Sequence, residues 1–216
     1  MRVGVLASGG GTNLQALLDS VHGREVEIVA VASDQPAARA LERARRAGVA
    51  TRVFERGDFP DRAARDAAIA DWLDERGVGL VVLAGYMAIL DDAFLARFAG
   101  RIVNVHPSLL PAFPGVRAIE QALAYGAKVF GVTVHFVEPG EVDSGPIILQ
   151  AAVELPGATD ADEVLAALRP LEHTLLPRAV ALIAAGAVHR DPERPRRVIV
   201  DEAAPAGGRA PPGGGR

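Results

Sequence analysis

The sequence predicts an α/β fold with a mostly parallel β-sheet flanked by helices. Short β-branched runs alternate with longer segments rich in Ala, Leu and Arg along the first half of the chain, which is the order of βα units. The strand-like runs are apolar without alternation, as in strands buried on both faces. Of the 216 residues, 50% are hydrophobic and 23% are charged, a globular balance for one large domain.

The first half of the chain predicts five strands, at residues 2–7, 26–32, 51–54, 80–84 and 102–105. Apolar positions at helical spacing predict helices between them, at residues 13–21, 37–47 and 61–76. The second of these helices stops at Gly48, a residue that commonly follows a helix end. Each strand thus leads into a helix that can return the chain for a parallel neighbour.

The pattern changes after residue 114. A helix is predicted at residues 117–125, followed by strands at 129–137 and 147–155 joined by a turn with Pro139 and Gly140. No long helix separates these strands, so they are expected to pair antiparallel. Residues 160–185 form a helical tract that contains Pro170 and Pro177, which predicts a break or a kink.

The chain is expected to form a single domain over residues 1–202. Residues 203–216 consist only of Ala, Gly, Pro and Arg. Such a segment cannot bury apolar area, so a flexible tail is predicted there.

Composition excludes several function classes. The chain has no cysteine, which removes disulfides, Fe–S clusters, Cys-ligated zinc and a thiolate nucleophile. The formal net charge is −4, so no nucleic-acid partner is expected. No apolar run is long enough for a bilayer and no signal peptide is evident, so we expect no membrane partner and a cytoplasmic location. The five histidines lack helical metal-ligand spacing, so we expect no metal.

Residues 8–13 read Ser-Gly-Gly-Gly-Thr-Asn between the first strand and the first helix. Such glycines expose consecutive N–H groups at a helix N-terminus, which is an anion site, most often for phosphate. Either Thr12 or Asn13 could cap the helix or donate to a phosphate oxygen. A plain tight turn remains the alternative reading.

Two nucleotide-binding alternatives are weaker. A dinucleotide fingerprint could use Gly9 and Gly11 with Asp34 as the ribose-binding acid, but its third glycine would fall at Leu14. The phosphate-binding lysine of a P-loop is missing, which argues against a nucleoside triphosphatase.

Asn104 and His106 are two residues apart, so their side chains point to the same face of an extended chain. The carboxyl end of a strand is where open α/β sheets place their sites. An amide donor beside a titratable donor suits oxyanion stabilisation with proton transfer. A carboxylate from Asp143 could orient the imidazole. A structural histidine and an ordinary turn aspartate are the alternatives, and Ser108 has no recognisable triad partners.

Taken together, these segments resemble the glycinamide ribonucleotide formyltransferase family. The resemblance covers about residues 2–190, and its matching segments are residues 7–17, 83–87, 104–111, 114–115, 131–136, 143–147 and 172–173. It implies a Rossmann-like sheet with the formyltransferase fold, 10-formyltetrahydrofolate as the formyl donor, and no metal. It also implies that residues up to about 100 bind phosphate, while residues 101–202 form the folate and catalytic half.

By the same resemblance, Asn104 holds the formyl oxygen, His106 donates to the developing oxyanion, and Asp143 supports the charged imidazole. The implied substrate-binding positions are Gly11, Thr12, Asn13, Arg169 and Glu172. The implied donor-binding positions, besides Asn104 and Asp143, are Arg62, Met87, Ala88, Ile89, Leu90, Pro139, Gly140, Glu141 and Val142. Ala88 replaces an arginine that the family usually carries, so contacts to the glutamate tail of the folate are in question.

The resemblance predicts small-molecule partners only, glycinamide ribonucleotide and folate, in a monomer or a homodimer. The alternatives are a 10-formyltetrahydrofolate hydrolase, in which water replaces the amine, and a methionyl-tRNA formyltransferase, which carries an extra tRNA domain. A dinucleotide-dependent oxidoreductase and a non-catalytic nucleotide-binding module are alternatives from other classes.

His135 lies on a predicted buried strand and is interpreted as a core histidine or one that supports the site.

Overall fold

The computed structural model describes residues 1–201. Its main sheet contains β1 Arg2–Leu6, β2 Glu27–Ser33, β3 Ala50–Val53, β4 Leu80–Leu83, β5 Ile102–His106, β6 Val129–Phe136 and β7 Ile147–Glu154. A separate hairpin pairs β8 Val188–Arg190 with β9 Val198–Val200. The helices are α1 Thr12–Ser20, α2 Arg39–Arg46, α3 Arg62–Asp74, α4 Asp92–Arg97, α5 Ala118–Tyr125 and α6 Ala161–Ala184. The predicted tail at 203–216 lies outside the described residues.

The main sheet has the strand order β3-β2-β1-β4-β5-β6-β7. Strands β1 to β5 are mutually parallel, whereas β6 pairs antiparallel with β5 and β7 pairs antiparallel with β6. The predicted α/β class, the mostly parallel sheet and its antiparallel C-terminal element are therefore confirmed. The chain order reverses between β1 and β4, and ligands bind at such switch points in open α/β sheets.

Alternating side chains of the strands build a core on each face of the sheet. In β1, Val3 and Val5 join the core beneath α1 and α6, whereas Leu6 joins the core beneath α3 and α4. The four residues of β1 after Arg2 are buried, as is Ala7, which follows the strand. The strand is therefore apolar after its first residue. This burial fixes the carboxyl ends of β1, β4 and β5 at one edge of the sheet.

Helix α6 corrects one prediction. It runs as one helix of 24 residues through Pro170 and Pro177, so of the predicted break or kink the break does not occur, and the kink stays a prediction. A proline inside a helix removes one backbone hydrogen bond, at a cost of about 3 kcal/mol. Burial of α6 side chains such as Leu168 and Leu176 against the sheet offsets that cost. Tertiary packing therefore outweighs the local preference at both prolines.

Three further features were not predicted. Helix α4 is a short helix capped by Asp91, whose side chain accepts from the Phe94 N–H at 2.8 Å. The β8–β9 hairpin follows α6. The connection between β6 and β7 is a ten-residue loop, 137–146, and not a tight turn. None of the described helices combines the length and the apolar character needed to cross a membrane.

Candidate active site

A cavity of about 700 Å³ opens where β4 and β5 end. Its walls come from the segment after β4, from the ends of β5 and β6, and from the loop that follows β6. Parts of α1 and α6 close it on one side through Asn13 and Glu172. The position at the carboxyl ends of the parallel strands agrees with the expectation from the sequence.

Asn104 and His106 both line this cavity from β5. Asn104 is partly buried, and His106 is 5% exposed. Their spacing of two on an extended strand puts both side chains on the same side, as predicted. The neighbouring residues Val103 and Val105 pack in the core and hold the strand in place.

The loop after β6 brings Asp143 to these two residues, although Asp143 lies 39 positions after Asn104 in the chain. Asp143 Oδ1 accepts from Asn104 Nδ2 at 3.3 Å, and Oδ2 lies 3.3 Å from His106 Nδ1. The backbone N–H of Gly115 donates to Oδ2 at 2.8 Å. Asp143 has a φ of 56°, in the left-handed region that aspartate tolerates better than most residues.

Asp143 is held ionised by its neighbours. Burial alone would raise the pKa of its carboxyl, but hydrogen bonding to His135, the charge of His106 and the Gly115 N–H outweigh burial and lower that pKa below its ordinary value. The carboxylate can therefore stabilise positive charge on an adjacent ring and accept hydrogen bonds, but it does not act as an acid near neutral pH.

Both ring nitrogens of His106 face acceptors. Nε2 lies 2.9 Å from the carbonyl oxygen of Phe113, and Nδ1 faces the Asp143 carboxylate. A carbonyl oxygen only accepts, so Nε2 carries a hydrogen. A second hydrogen on Nδ1 would be directed at Asp143, and an imidazolium ring would satisfy both partners.

His135 was interpreted as a core or supporting histidine, and the structure places it in direct contact with the site. It is 1% exposed and stands opposite Asn104 in the antiparallel pairing of β5 with β6. Its Nε2 lies 3.3 Å from Asn104 Nδ2 and 3.4 Å from Asp143 Oδ1, and Nδ1 donates to the Phe136 carbonyl at 2.8 Å. Only the strand register reveals this contact.

Asn13 and Glu172 both line the cavity and contact each other although 159 positions separate them. Asn13 Nδ2 donates to Glu172 Oε2 at 3.0 Å, and Asn13 Oδ1 is buried without a hydrogen-bond partner. Burial raises the pKa of Glu172 despite this hydrogen bond and the positive charge of Arg169. The pair presents two acceptor groups to the cavity, which suits a ligand with amine or hydroxyl donors.

The glycine loop lies beside the cavity. Gly11 is the N-cap of α1 with φ 69°, and no side chain caps this helix, so the expected cap by Thr12 or Asn13 is wrong. A Cβ at Gly11 would lie 2.6 Å from the Cα of Ala40 in α2. Glycine is therefore required here both by conformation and by the approach of α2.

The dinucleotide alternative loses its key acid. Asp34 Oδ1 accepts from the Ser8 hydroxyl at 2.5 Å, and Oδ2 accepts from Gln35 Nε2 at 3.3 Å. Both carboxylate oxygens are thus engaged by protein donors instead of facing an open ribose site.

Most of the predicted donor-binding residues do line the cavity: Arg62, Met87, Ala88, Ile89, Leu90, Gly140, Glu141 and Val142. Pro139, Gly11, Thr12 and Arg169 are absent from its described lining. Arg169 is exposed one helical turn before Glu172. Sequence reasoning missed the lining residue Tyr86 and assigned no role to Arg117, which also lines the cavity. The described residues contain no group of three or more His, Asp or Glu that could hold a metal ion.

A family model described as formyl transferase matches residues 1–180. The trifunctional purine biosynthetic protein adenosine-3 of Drosophila pseudoobscura pseudoobscura is 43% identical over 193 residues, which are 88% of this chain and only 14% of that relative. The phosphoribosylglycinamide formyltransferase of Escherichia coli K12 is 40% identical over 86% of this chain and 88% of its own length.

Solved structures give the same result. The glycinamide ribonucleotide transformylase 1 of Symbiobacterium toebii is 46% identical and superposes with a TM-score of 0.88, covering 93% of each chain. The phosphoribosylglycinamide formyltransferase of Anaplasma phagocytophilum is 37% identical with a TM-score of 0.87.

Proposed function

This chain belongs to the formyl transferase family, and we propose that it transfers the formyl group of 10-formyltetrahydrofolate to the amine of glycinamide ribonucleotide. The products are formylglycinamide ribonucleotide and tetrahydrofolate, in de novo purine biosynthesis. One observation carries this proposal above the others. Asn104, His106 and Asp143 converge at one end of the cavity, with Asp143 within 3.3 Å of both partners.

The donor supplies an activated formyl group bound to nitrogen. The substrate amine forms a new C–N bond to the formyl carbon, and negative charge develops on the formyl oxygen. Collapse breaks the bond from that carbon to the folate nitrogen, which takes up a proton, while the substrate nitrogen loses one. The protein therefore has to stabilise an oxyanion and move a proton.

Each residue of the triad supports one of these tasks. Asn104 offers an amide N–H to the formyl oxygen. His106 offers its Nε2–H, which leaves the Phe113 carbonyl for the same developing charge. The Asp143 carboxylate beside Nδ1 stabilises the cationic ring by attraction at short range. Asp143 is also placed to pass a proton onward through water, because its pKa keeps it in the acceptor form.

The substrate side is assigned to the part of the cavity that Asn13 and Glu172 line. The unpaired Asn13 Oδ1 and the Glu172 carboxyl offer acceptors to amine or hydroxyl groups of the ribonucleotide. The N-terminus of α1, with Gly11 and Thr12, is proposed to hold the phosphate. Arg169 adds positive charge near this end.

The donor side is assigned to the wall formed by Met87, Ala88, Ile89 and Leu90 and to the facing loop, with Gly140, Glu141 and Val142. Met87 and Ile89 are 77% and 64% exposed, and a flat aromatic ligand would cover them. Arg62 stands at the start of α3 near the same wall and is the cation available to a folate carboxylate.

The test is a direct turnover assay of the purified full chain. Glycinamide ribonucleotide and 10-formyltetrahydrofolate are mixed with the protein, and mass spectrometry follows one added formyl group on the amine. Formylated product that vanishes in His106→Ala is the expected result. Release of formate without transfer would indicate a hydrolase, and an unconsumed donor with a folded protein would contradict formyl transfer.

Several sequence predictions remain predictions. These are the division into a phosphate-binding and a folate-binding half, the role of Pro139, the cytoplasmic location, and the choice between monomer and homodimer.

A further inference from the structure

The segment from Tyr86 to Asp91 forms a cavity wall without regular secondary structure. Five of its residues, Tyr86 to Leu90, line the cavity. Leu90 is buried in the core at 8% exposure and Tyr86 packs partly against that core, whereas Met87 and Ile89 are exposed. Apolar packing of Tyr86 and Leu90 therefore accounts for only part of the position of this wall. Hydrogen bonds from neighbouring elements must hold it.

One end of the segment is held from β1 and β2. The Met87 N–H donates to Ser8 Oγ at 2.8 Å, and the Ser8 hydroxyl in turn donates to Asp34 Oδ1 at 2.5 Å. Because the hydroxyl hydrogen is committed to the carboxylate, the lone pairs of the oxygen are directed to Met87. This chain of hydrogen bonds joins the ends of two strands to the wall and needs no bound ligand.

The other end is held from α3 by a buried ion pair. Asp66 is 0% exposed and Arg65 is 5% exposed. Asp66 Oδ2 accepts from the Asp91 N–H at 2.8 Å, while Oδ1 accepts from Arg65 Nε and Nη2 at 2.9 and 2.7 Å. Arg65 Nη2 also donates to the Ile89 carbonyl at 3.3 Å.

We propose that Arg65 and Asp66 are positioning residues that fix the donor-binding wall, and that they act on binding of the folate and not on the chemical step. This inference rests on the proposed function. Neither residue lines the cavity, so both act through the backbone of Ile89 and Asp91. A buried ion pair is weak evidence for stability, because desolvation of two charges offsets their attraction. Its two hydrogen bonds to the wall give the pair a specific structural task.

The test replaces both charges together, because removing one partner would leave the other buried and unpaired. In the double variant Arg65→Met/Asp66→Leu, the Asp91 amide loses its acceptor, and its hydrogen exchange measured by NMR should accelerate at least about tenfold. The KM for 10-formyltetrahydrofolate should rise about tenfold, the factor expected for one hydrogen bond to a charged group. The kcat and the KM for glycinamide ribonucleotide should stay within about twofold.

The matched control is Arg97→Met, which removes an exposed cation paired with Asp71 and Asp74. It should change neither KM. Equal rises in both KM values in the double variant, an unchanged donor KM, or an unchanged Asp91 exchange rate would each overturn the proposal.

Arg65→Lys provides a second variant if the double variant does not fold. It keeps the buried positive charge beside Asp66 but removes Nη2 and its hydrogen bond to the Ile89 carbonyl, so the donor KM should rise alone. An unaltered donor KM would refute control of the wall by the ion pair. Failure of the proposed function is distinguishable, because tetrahydrofolate binding is measured by calorimetry without turnover. Wild type that binds tetrahydrofolate but transfers nothing refutes the transfer reaction, and about tenfold weaker binding in the variant still supports the positioning role. Wild type that does not bind tetrahydrofolate refutes both.

Discussion

Replacing Asp143 by Asn removes the charge of the site while leaving its shape. The backbone at this position has a φ of 56°, which asparagine accepts at least as well as aspartate. One carboxylate oxygen becomes an NH2 group. That group must face either the Gly115 N–H and His106, or the Asn104 amide and His135.

The size of the effect follows from these contacts. Whichever way the amide points, a donor meets a donor on one side, and the ring of His106 loses a neighbouring negative charge. One hydrogen bond to a charged group contributes about 1.5–3 kcal/mol. Each 1.36 kcal/mol lost from the transition state lowers the rate tenfold, so kcat should fall by roughly 10–10²-fold.

The assay measures kcat and both KM values by mass spectrometry of the formylated amine, with thermal unfolding as a check on folding. Asp74→Asn is the matched control, because Asp74 lies on the surface in a pair with Arg97 and its substitution should leave kcat within twofold. A folded Asp143→Asn protein with kcat within threefold of wild type would refute the assigned role of the carboxylate.

Three further predictions concern buried and crowded positions. Burial raises the pKa of Glu172, so the stabilising contribution of this carboxyl is complete below about pH 4.3 and is lost as the pH rises through the raised pKa of the folded state. Glu172→Gln should therefore raise Tm by a few degrees at pH 8 but not at pH 4. An equal shift in Tm at both pH values would contradict this cause. A Cβ at Gly145 would lie 1.8 Å from the Phe136 carbonyl oxygen, so Gly145→Ala should displace the loop that carries Asp143 and lower kcat at least about tenfold. Gly157→Ala is the control, because Gly157 has open space around it and its substitution should not lower kcat. Similar kcat values in the two variants would argue against the steric cause. Gly11→Ala should reduce the free energy of unfolding by more than the ~1–2 kcal/mol cost of the left-handed region, because the new Cβ would clash with Ala40. Chemical denaturation of Gly48→Ala measures the conformational cost alone, since Gly48 has a similar φ and no near neighbours. Equal losses of free energy in the two variants would show that α2 shifts to relieve the clash.

The local parts of the fold could be predicted from the sequence because each depends on near neighbours in the chain. Continuous apolar runs gave β1 and β4, and the absence of a helix between residues 137 and 146 gave the antiparallel pair β6 and β7. Helix α4 was missed because six residues are too few to establish a period. Of the break or kink predicted in α6, the break does not occur, because local proline preference ignores the core that the helix buries.

The candidate site divides in the same way. The sequence by itself determined the chemical types and the short spacings: Asn104 and His106 on one strand face, the glycines before α1, and the family resemblance that joins them to Asp143. Only the tertiary structure decided which distant groups meet. It placed Asp143 between Asn104 and two histidines, Asn13 against Glu172, and the ion pair of α3 beneath the wall that follows β4. The physical reason is that the period of a strand or helix fixes the directions of side chains over a few residues only. Contacts between distant segments depend on the order of the strands in the sheet and on the loop that returns after β6. Both are set by burial of the whole core.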